Sequence, residues 1–487
     1  MVQNIDEQTI IDEVLQEFYP LTKIPRPSEH EKAVSDYLLA VLRGMGLVTV
    51  QDEKYNLIAD KPASPGFENV PLTILQSHMD MVCVADEGVC YDPLTDGIKC
   101  KIDGDFLRAE GTSLGADDGI GIAEILFILK NIKNNGPIRA IFTVDEESGM
   151  TGAVALDKKW LTAAKYLINC DSEDYDVLTV GSAGSVNLTF SRPIKYVAAP
   201  AGKVYDISLT GLTGGHSGEE INQGRGNAIE LMMRSLMTMR EQGFDYALVK
   251  ASGGRASNVI PSEAFVSLIT AVPKEKLQEF VAGCAERLTS VYGDIDTNLT
   301  LTLTESSTFP EKVFSPADTE ALLNLAVNLH TGVYSMSQVV NGLVETSANI
   351  GVLRTNNDTV EMVFFPRSSK IEKIVDFCQS VRSLAKLTGF ELKTGTISPV
   401  WKEKIGDLAQ MMTETFLEQN GKTMKVTSIH AGLECSWHIQ KNHELDMVSI
   451  GVTTHDIHSP QERVDLRTIA PQVRLITGVL KKIAQKR

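Results

Sequence analysis

Basic residues are in short supply: 46 Lys and Arg stand against 63 Asp and Glu in 487 residues, a formal charge of −17. Nucleic acid and anionic membrane carry the same sign, so neither is expected as a non-specific partner. Long apolar runs are missing too. The longest, residues 120–129, is interrupted by Glu124 and falls short of the roughly 20 residues a bilayer requires. The first residues, Met1 to Glu7, carry acids where a secretion signal needs a basic region. Cysteine is sparse as well. The seven present are odd in number and lack Cys-x-x-Cys spacing, which excludes a disulfide framework or a thiolate zinc site. Together these absences predict a cytoplasmic protein with reduced thiols, in which any metal is held by nitrogen and oxygen.

What is present is an ordinary globular composition, 43% hydrophobic and 22% charged, long enough for more than one core. Ser28 and Glu31 fit a capping box for a helix that Gly44 ends. Four apolar runs, 72–75, 138–144, 166–170 and 447–452, read as buried strands. Each ends in chemistry: His78 and Asp80 after the first, Asp145-Glu146-Glu147 after the second, Asp171 after the third, His455 and His458 after the fourth. Open α/β sheets bind ligands at the carboxyl ends of their strands, so these clusters are expected to converge. Between about 186 and 398 the pattern changes to two successive βαββαβ-like courses, the ferredoxin-like order. The expected fold is therefore α/β: a discontinuous catalytic domain with a mostly parallel sheet (1–184 and 399–487), carrying an inserted α+β domain (185–398) of two ferredoxin-like halves.

A site for two divalent ions needs His or carboxylate on each ion and a carboxylate between them. In His78-Met-Asp80 the alternation of an extended chain puts both side chains on one face, so Asp80 can orient the imidazole. A lone His-x-Asp more often serves structure. Asp117 and Asp118 stand at a helix start, where capping is the plainer role for Asp118 and bridging is open to Asp117. Three consecutive acids, Asp145 to Glu147, repel one another unless cations or solvent offset them; one of the two Glu can ligate while the other takes a proton from water. Asp171 alone is more often a turn residue, and either His455 or His458 could ligate. His30, His330, His430, His438 and His443 are read as ordinary structural or surface residues.

Taken together, His78-Met-Asp80, Gly115-Ala-Asp117-Asp118-Gly119, Asp145-Glu146-Glu147-Ser-Gly149, Asn169-Cys-Asp171-Ser-Glu173 and His458-Ser-Pro460 closely resemble the dinuclear zinc peptidase superfamily that contains carboxypeptidase G, aminoacylases and dipeptidases. Ile429-His-Ala-Gly-Leu-Glu434-Cys435 and Gly214-Gly-His216-Ser-Gly218 look like its bacterial aminoacylhistidine (Xaa-His) dipeptidase branch. The resemblance implies two divalent cations, zinc first, with cobalt or manganese also suited to such ligands. It implies His78, Asp117, Glu147, Asp171 and His458 as metal ligands, Asp117 bridging, Glu146 as general base and Asp80 as orienter. It makes the inserted domain a lid that supplies His216 to the oxyanion and Asn258 and Arg367 to the substrate, from the same chain or across a homodimer. Glu434 joins the substrate-binding set. Hydrolysis of dipeptides such as β-alanyl-histidine is the expected activity, and N-acyl-amino-acid deacylation the alternative. Two departures stand out: Ser436-Trp437 follows Cys435 where the pattern has Gly, and Val452-Thr-Thr-His455-Asp replaces the usual approach to the ligand His.

Overall fold

The computed structural model describes residues 2–486 except 339 and 341. The chain forms two compact units: Met1–Ser182 with Trp401–Ser428 and Leu433–Arg487, and Ala183–Val400 with Ile429–Gly432. The second unit therefore takes a short piece, Ile429–Gly432, from the stretch expected in the catalytic domain. The reason is bonding: the Ala183 amide donates to the Ala431 carbonyl at 2.9 Å, and Ser347 Oγ lies 2.7 Å from His430 Nε2.

In the first unit, strands β1 (Leu72–His78), β2 (Ile138–Thr143) and β3 (Ala164–Asn169) form the middle of an eight-stranded sheet together with the strand Asp446–Ser449. These four are the apolar runs of the sequence. They run parallel, in the order β2, β1, β3, Asp446–Ser449, and the outer strands on the β2 side pair antiparallel. Residues 73–78 of β1 are all buried, which explains why the run shows no alternation. Helix α1 (Ala116–Asn131) presents Ile120, Ile122, Ile125 and Leu126 to the same core. Parallel strands bring their carboxyl ends to one edge, and that edge carries His78, the Asp145–Glu147 turn and Asp171.

The second unit is built on a ten-stranded antiparallel sheet. Its elements are β4 (Leu188–Pro193), β5 (Lys203–Thr210), α2 (Ala228–Glu241), β6 (Ala247–Gly253), β7 (Ala264–Thr270), α3 (Lys274–Tyr292), β8 (Thr300–Glu305), α4 (Pro316–Asn328), β9 (Val344–Thr355), β10 (Thr359–Ser368), α5 (Ile371–Thr388) and β11 (Glu391–Thr394). The sheet order β8-β5-β7-β6-β9-β10-β4-β11 contains two ferredoxin-like orders placed back to back, meeting where Gly253 of β6 pairs with Leu353 of β9. The halves are nested rather than successive. Strand β4, which the sequence reading passes over, opens the second half by pairing with β10 and β11, and the whole first half lies in the connection between β4 and α4.

Candidate metal centre

Five side chains from five chain segments of the first unit meet at the sheet edge. His78 Nε2 lies 3.0 Å from Asp117 Oδ1 and 3.2 Å from Asp171 Oδ1. His458 Nε2 lies 3.2 Å from Asp117 Oδ2 and 2.9 Å from Glu147 Oε2. Asp117 thus turns one oxygen to each imidazole. Each Nε2 carries one proton or one lone pair, yet each faces carboxylate oxygens of two different residues. One cation in each group of donors satisfies what one proton cannot, and Asp117 is then the shared ligand. The donor set, imidazole and carboxylate only, fits divalent ions of the zinc, cobalt or manganese kind. His455 has no part in these contacts; its ring stands 6.0 Å from that of Phe106.

Electrostatics follow from this crowding. Burial alone would depress the His78 pKa, but Asp171, Asp117 and Asp80 outweigh it and lift it well above the ordinary value. His458, also opposed by burial, is raised to about 11 by Asp117 and Glu147. Asp117 is held far below the usual carboxylate range, since the bonds from His458 and His78 overcome its burial. Burial pushes Asp171 up to about 6 and Glu147 up to about 7, the latter helped by the charge of Asp117. Burial, then Asp171, lifts Glu146 well above its ordinary value. Protons on the imidazoles here supply the positive charge that cations would bring. Metal loading must displace them, so zinc uptake at pH 7 releases protons and its apparent affinity rises with pH. Titration calorimetry in buffers of different ionisation enthalpy measures this release; heats independent of the buffer contradict it.

Asp80 sits at the junction of the ligands and the acidic turn. Its Oδ1 lies 3.3 Å from His78 Nδ1 and accepts the Glu146 amide at 3.0 Å. Its Oδ2 accepts the Ser28 hydroxyl at 2.7 Å and the Glu147 amide at 3.2 Å. Ser28 and Glu31 do not form the expected capping box. Glu31 Oε1 instead accepts the amides of Glu29 and Asp145, at 3.0 and 2.8 Å, and so pins the start of the acidic turn. The helix Lys32–Gly44 begins with no side-chain cap bond.

Two further residues brace the ligand loops. Arg26 is buried and donates to the carbonyls of Met79 and Asp80, at 2.8 and 2.9 Å, and of Gly115, at 2.5 Å. It ties the loop after His78 to the loop before Asp117. Gly115 has φ +67°, and a Cβ there would lie 2.6 Å from both Arg26 Nη2 and Met81 Sδ, so only glycine fits. Glu462 is buried and accepts the amides of Leu114, Gly115, Ala116 and Asp117, at 2.7 to 3.2 Å. Asp118 accepts the Ser77 hydroxyl and, at 3.2 Å, the His78 amide, so it holds the end of β1 rather than capping a helix. Glu434 is fully buried against Gln76 and Thr143.

The second unit gathers its own cluster. His216 Nε2 lies 3.3 Å from Arg367 Nη2. Arg367 is buried, lies 4.7 Å from the Phe365 ring, and is brought down to about 10 by burial. Asn258 is exposed, and its carbonyl accepts the Ser217 amide at 2.8 Å. His430, read from sequence as ordinary, belongs here as well: burial and then the charges of Arg367 and His216 bring it down to about 3, so it is a neutral ring bonded to Ser347.

The pattern of peptidase family M20/M25/M40 matches residues 74–482, from inside β1 to the final helix. The chain belongs to this family. It is 35% identical over 475 residues to the cytosol non-specific dipeptidase of Escherichia coli K12, covering 96% of this chain and 97% of that one. The structure of aminoacylhistidine dipeptidase from Vibrio alginolyticus is similar at a TM-score of 0.80 and 34% identity, over 99% of this chain and 98% of that one. Aminopeptidase PepT from Bacillus cereus ATCC 10987 shares the fold, with a TM-score of 0.59 at 18% identity over 97% of this chain and 99% of that one. Family M20/M25/M40 membership makes the chain a metallopeptidase. No helix among its described residues is long and apolar enough to cross a membrane.

Proposed function

We propose that this M20/M25/M40 peptidase hydrolyses dipeptides, Xaa-His substrates such as β-alanyl-histidine among them, with two divalent cations, zinc foremost. The observation that carries the reading is the Asp117 carboxylate turned to both His78 and His458, with Asp171, Glu147 and the Glu146 turn around it. His78, Asp117 and Asp171 would hold one cation, and His458, Asp117 and Glu147 the other. When bound, the pair would supply Lewis acidity, lowering the pKa of a water from about 15.7 toward about 7 and polarising the scissile carbonyl.

The chain's own groups do the rest. Glu146 takes the proton of the attacking water and delivers it to the leaving amine. Asp80 keeps His78 and the Glu146 backbone in register through one carboxylate. His216 donates to the developing oxyanion, and Arg367 pairs with the carboxylate that every dipeptide carries at its end. Asn258 and Glu434 complete the substrate contacts. An acidic chain without a membrane-crossing helix among the described residues suits a cytoplasmic enzyme acting on small peptides.

The test is a panel: Gly-His and β-alanyl-histidine against N-acetyl amino acids, before and after chelation. Cleavage of the dipeptides, lost with chelation and restored by zinc, supports the proposal. Preference for the N-acetyl amino acids would assign the site to deacylation instead.

A further inference from the structure

The second unit holds His216 and Asn258 on very little regular structure. His216 ends the two-residue strand Gly215–His216, which pairs with Val259–Ile260, and Asn258 lies in the exposed loop just before that partner. The Ser217 amide donates to the Asn258 carbonyl at 2.8 Å. A ladder this short fixes neither side chain by itself, so precision has to come from whatever the loop rests on.

The loop rests on β9. Asn349 of that strand is completely buried and donates from Nδ2 to the carbonyls of Ser257, at 3.0 Å, and Val259, at 2.8 Å, the two residues that flank Asn258. Its Oδ1 accepts Asn227 Nδ2 at 2.9 Å, and the same Nδ2 reaches the Ile350 carbonyl at 2.9 Å. Asn227 Oδ1 caps α2 by accepting the Glu230 amide at 3.1 Å. Backbone at both ends sets the direction of this relay. The helix amide can only donate and the loop carbonyls can only accept, so each side-chain amide has one orientation and both its N–H groups are used. Two residues further on, β9 is bulged at Gly351. A Cβ there would stand 2.5 Å from the Ala256 carbonyl oxygen and from Ser257 Cα, so the loop backbone lies directly against the strand.

We propose that Asn349 is a positioning residue of the reaction: through the Ser257 and Val259 carbonyls it sets Asn258 and, across the ladder from Val259, His216. The inference rests on the substrate roles given to those two side chains. A buried amide that spends both donors on one exposed loop is placed to fix that loop. Misplacing a group that contacts the reacting atoms by about 1 Å costs on the order of 10²-fold in rate, so losing the two bonds beneath the loop is read in turnover.

The experiment is a mutant cycle on the zinc-loaded protein, with Gly-His and β-alanyl-histidine as substrates. Asn349→Ala is made in the wild type and in a chain that already carries His216→Ala and Asn258→Ala. In the wild type it is expected to lower kcat by about 10- to 100-fold with zinc content at the parental level. In the second background nothing remains for Asn349 to position, and the loss is expected to stay under about threefold. The Kd of a non-hydrolysable phosphinic dipeptide, measured by calorimetry, should follow the same pattern. Should Asn349→Ala not fold, as judged by melting and zinc content, Asn227→Ser takes its place in the cycle, because it keeps the helix cap and drops the bond to Asn349. Equal losses in the two backgrounds, or parental turnover in a folded, zinc-loaded variant, overturn the inference and leave the dipeptidase reading standing. Parental turnover in the chain with His216→Ala and Asn258→Ala overturns the inference together with the roles of those two residues.

Discussion

Glu146→Gln lowers kcat on dipeptides by about 10²–10⁴-fold, the usual worth of a positioned general base, or roughly 2.7–5.4 kcal/mol of barrier. The amide keeps the shape of the carboxylate but cannot take a proton. The Glu146 backbone amide still donates to Asp80, so the turn that presents Glu147 is expected to hold. Metal content and KM should therefore change little while turnover collapses. Zinc analysis together with steady-state kinetics reads this split. A variant with full zinc content and parental turnover would remove Glu146 from the mechanism.

Asp117→Asn acts on the other half of the centre. Among the described residues Asp117 alone faces both imidazoles, one oxygen to each, and an amide replaces one of those anionic oxygens with a donor. Each cation then loses a charged ligand or meets an N–H. Zinc stoichiometry should fall from two toward one or none, with activity down at least about 10³-fold, since the metal is asked for both water activation and carbonyl polarisation. Elemental analysis after gel filtration decides it. Asp118→Asn, one residue on, should keep two zinc ions because Asp118 bonds to Ser77 and the His78 amide rather than to the ligand pair.

How far the sequence reaches is clearest at the sheet edge. Strands buried on both faces become unbroken apolar runs, so the four central strands and the acids that end them stand out without any structure. The residues around that edge do not. Ser28 and Glu31 satisfy the capping-box pattern letter by letter, but their side chains bond to Asp80 and to the Asp145 amide across the unit. Arg26 and Glu462 bond only to backbone, at loops that are 53 to 89 and 345 to 348 residues away in the chain, and no spacing in the sequence marks such contacts. His430 is similar: its partner Ser347 is 83 residues away. Strand β4 was missed because its partners, β10 and β11, come after the entire first half has been inserted. Local pattern shows an element; it does not show which distant element completes it.

The claim at the centre of the account is that one carboxylate, Asp117, joins two cation sites. A crystal structure of the zinc-loaded protein, with anomalous scattering recorded at the zinc edge, tests it most directly. Two peaks are predicted, one among His78, Asp117 and Asp171 and the other among His458, Asp117 and Glu147. A single peak, or zinc bound away from Asp117, contradicts it.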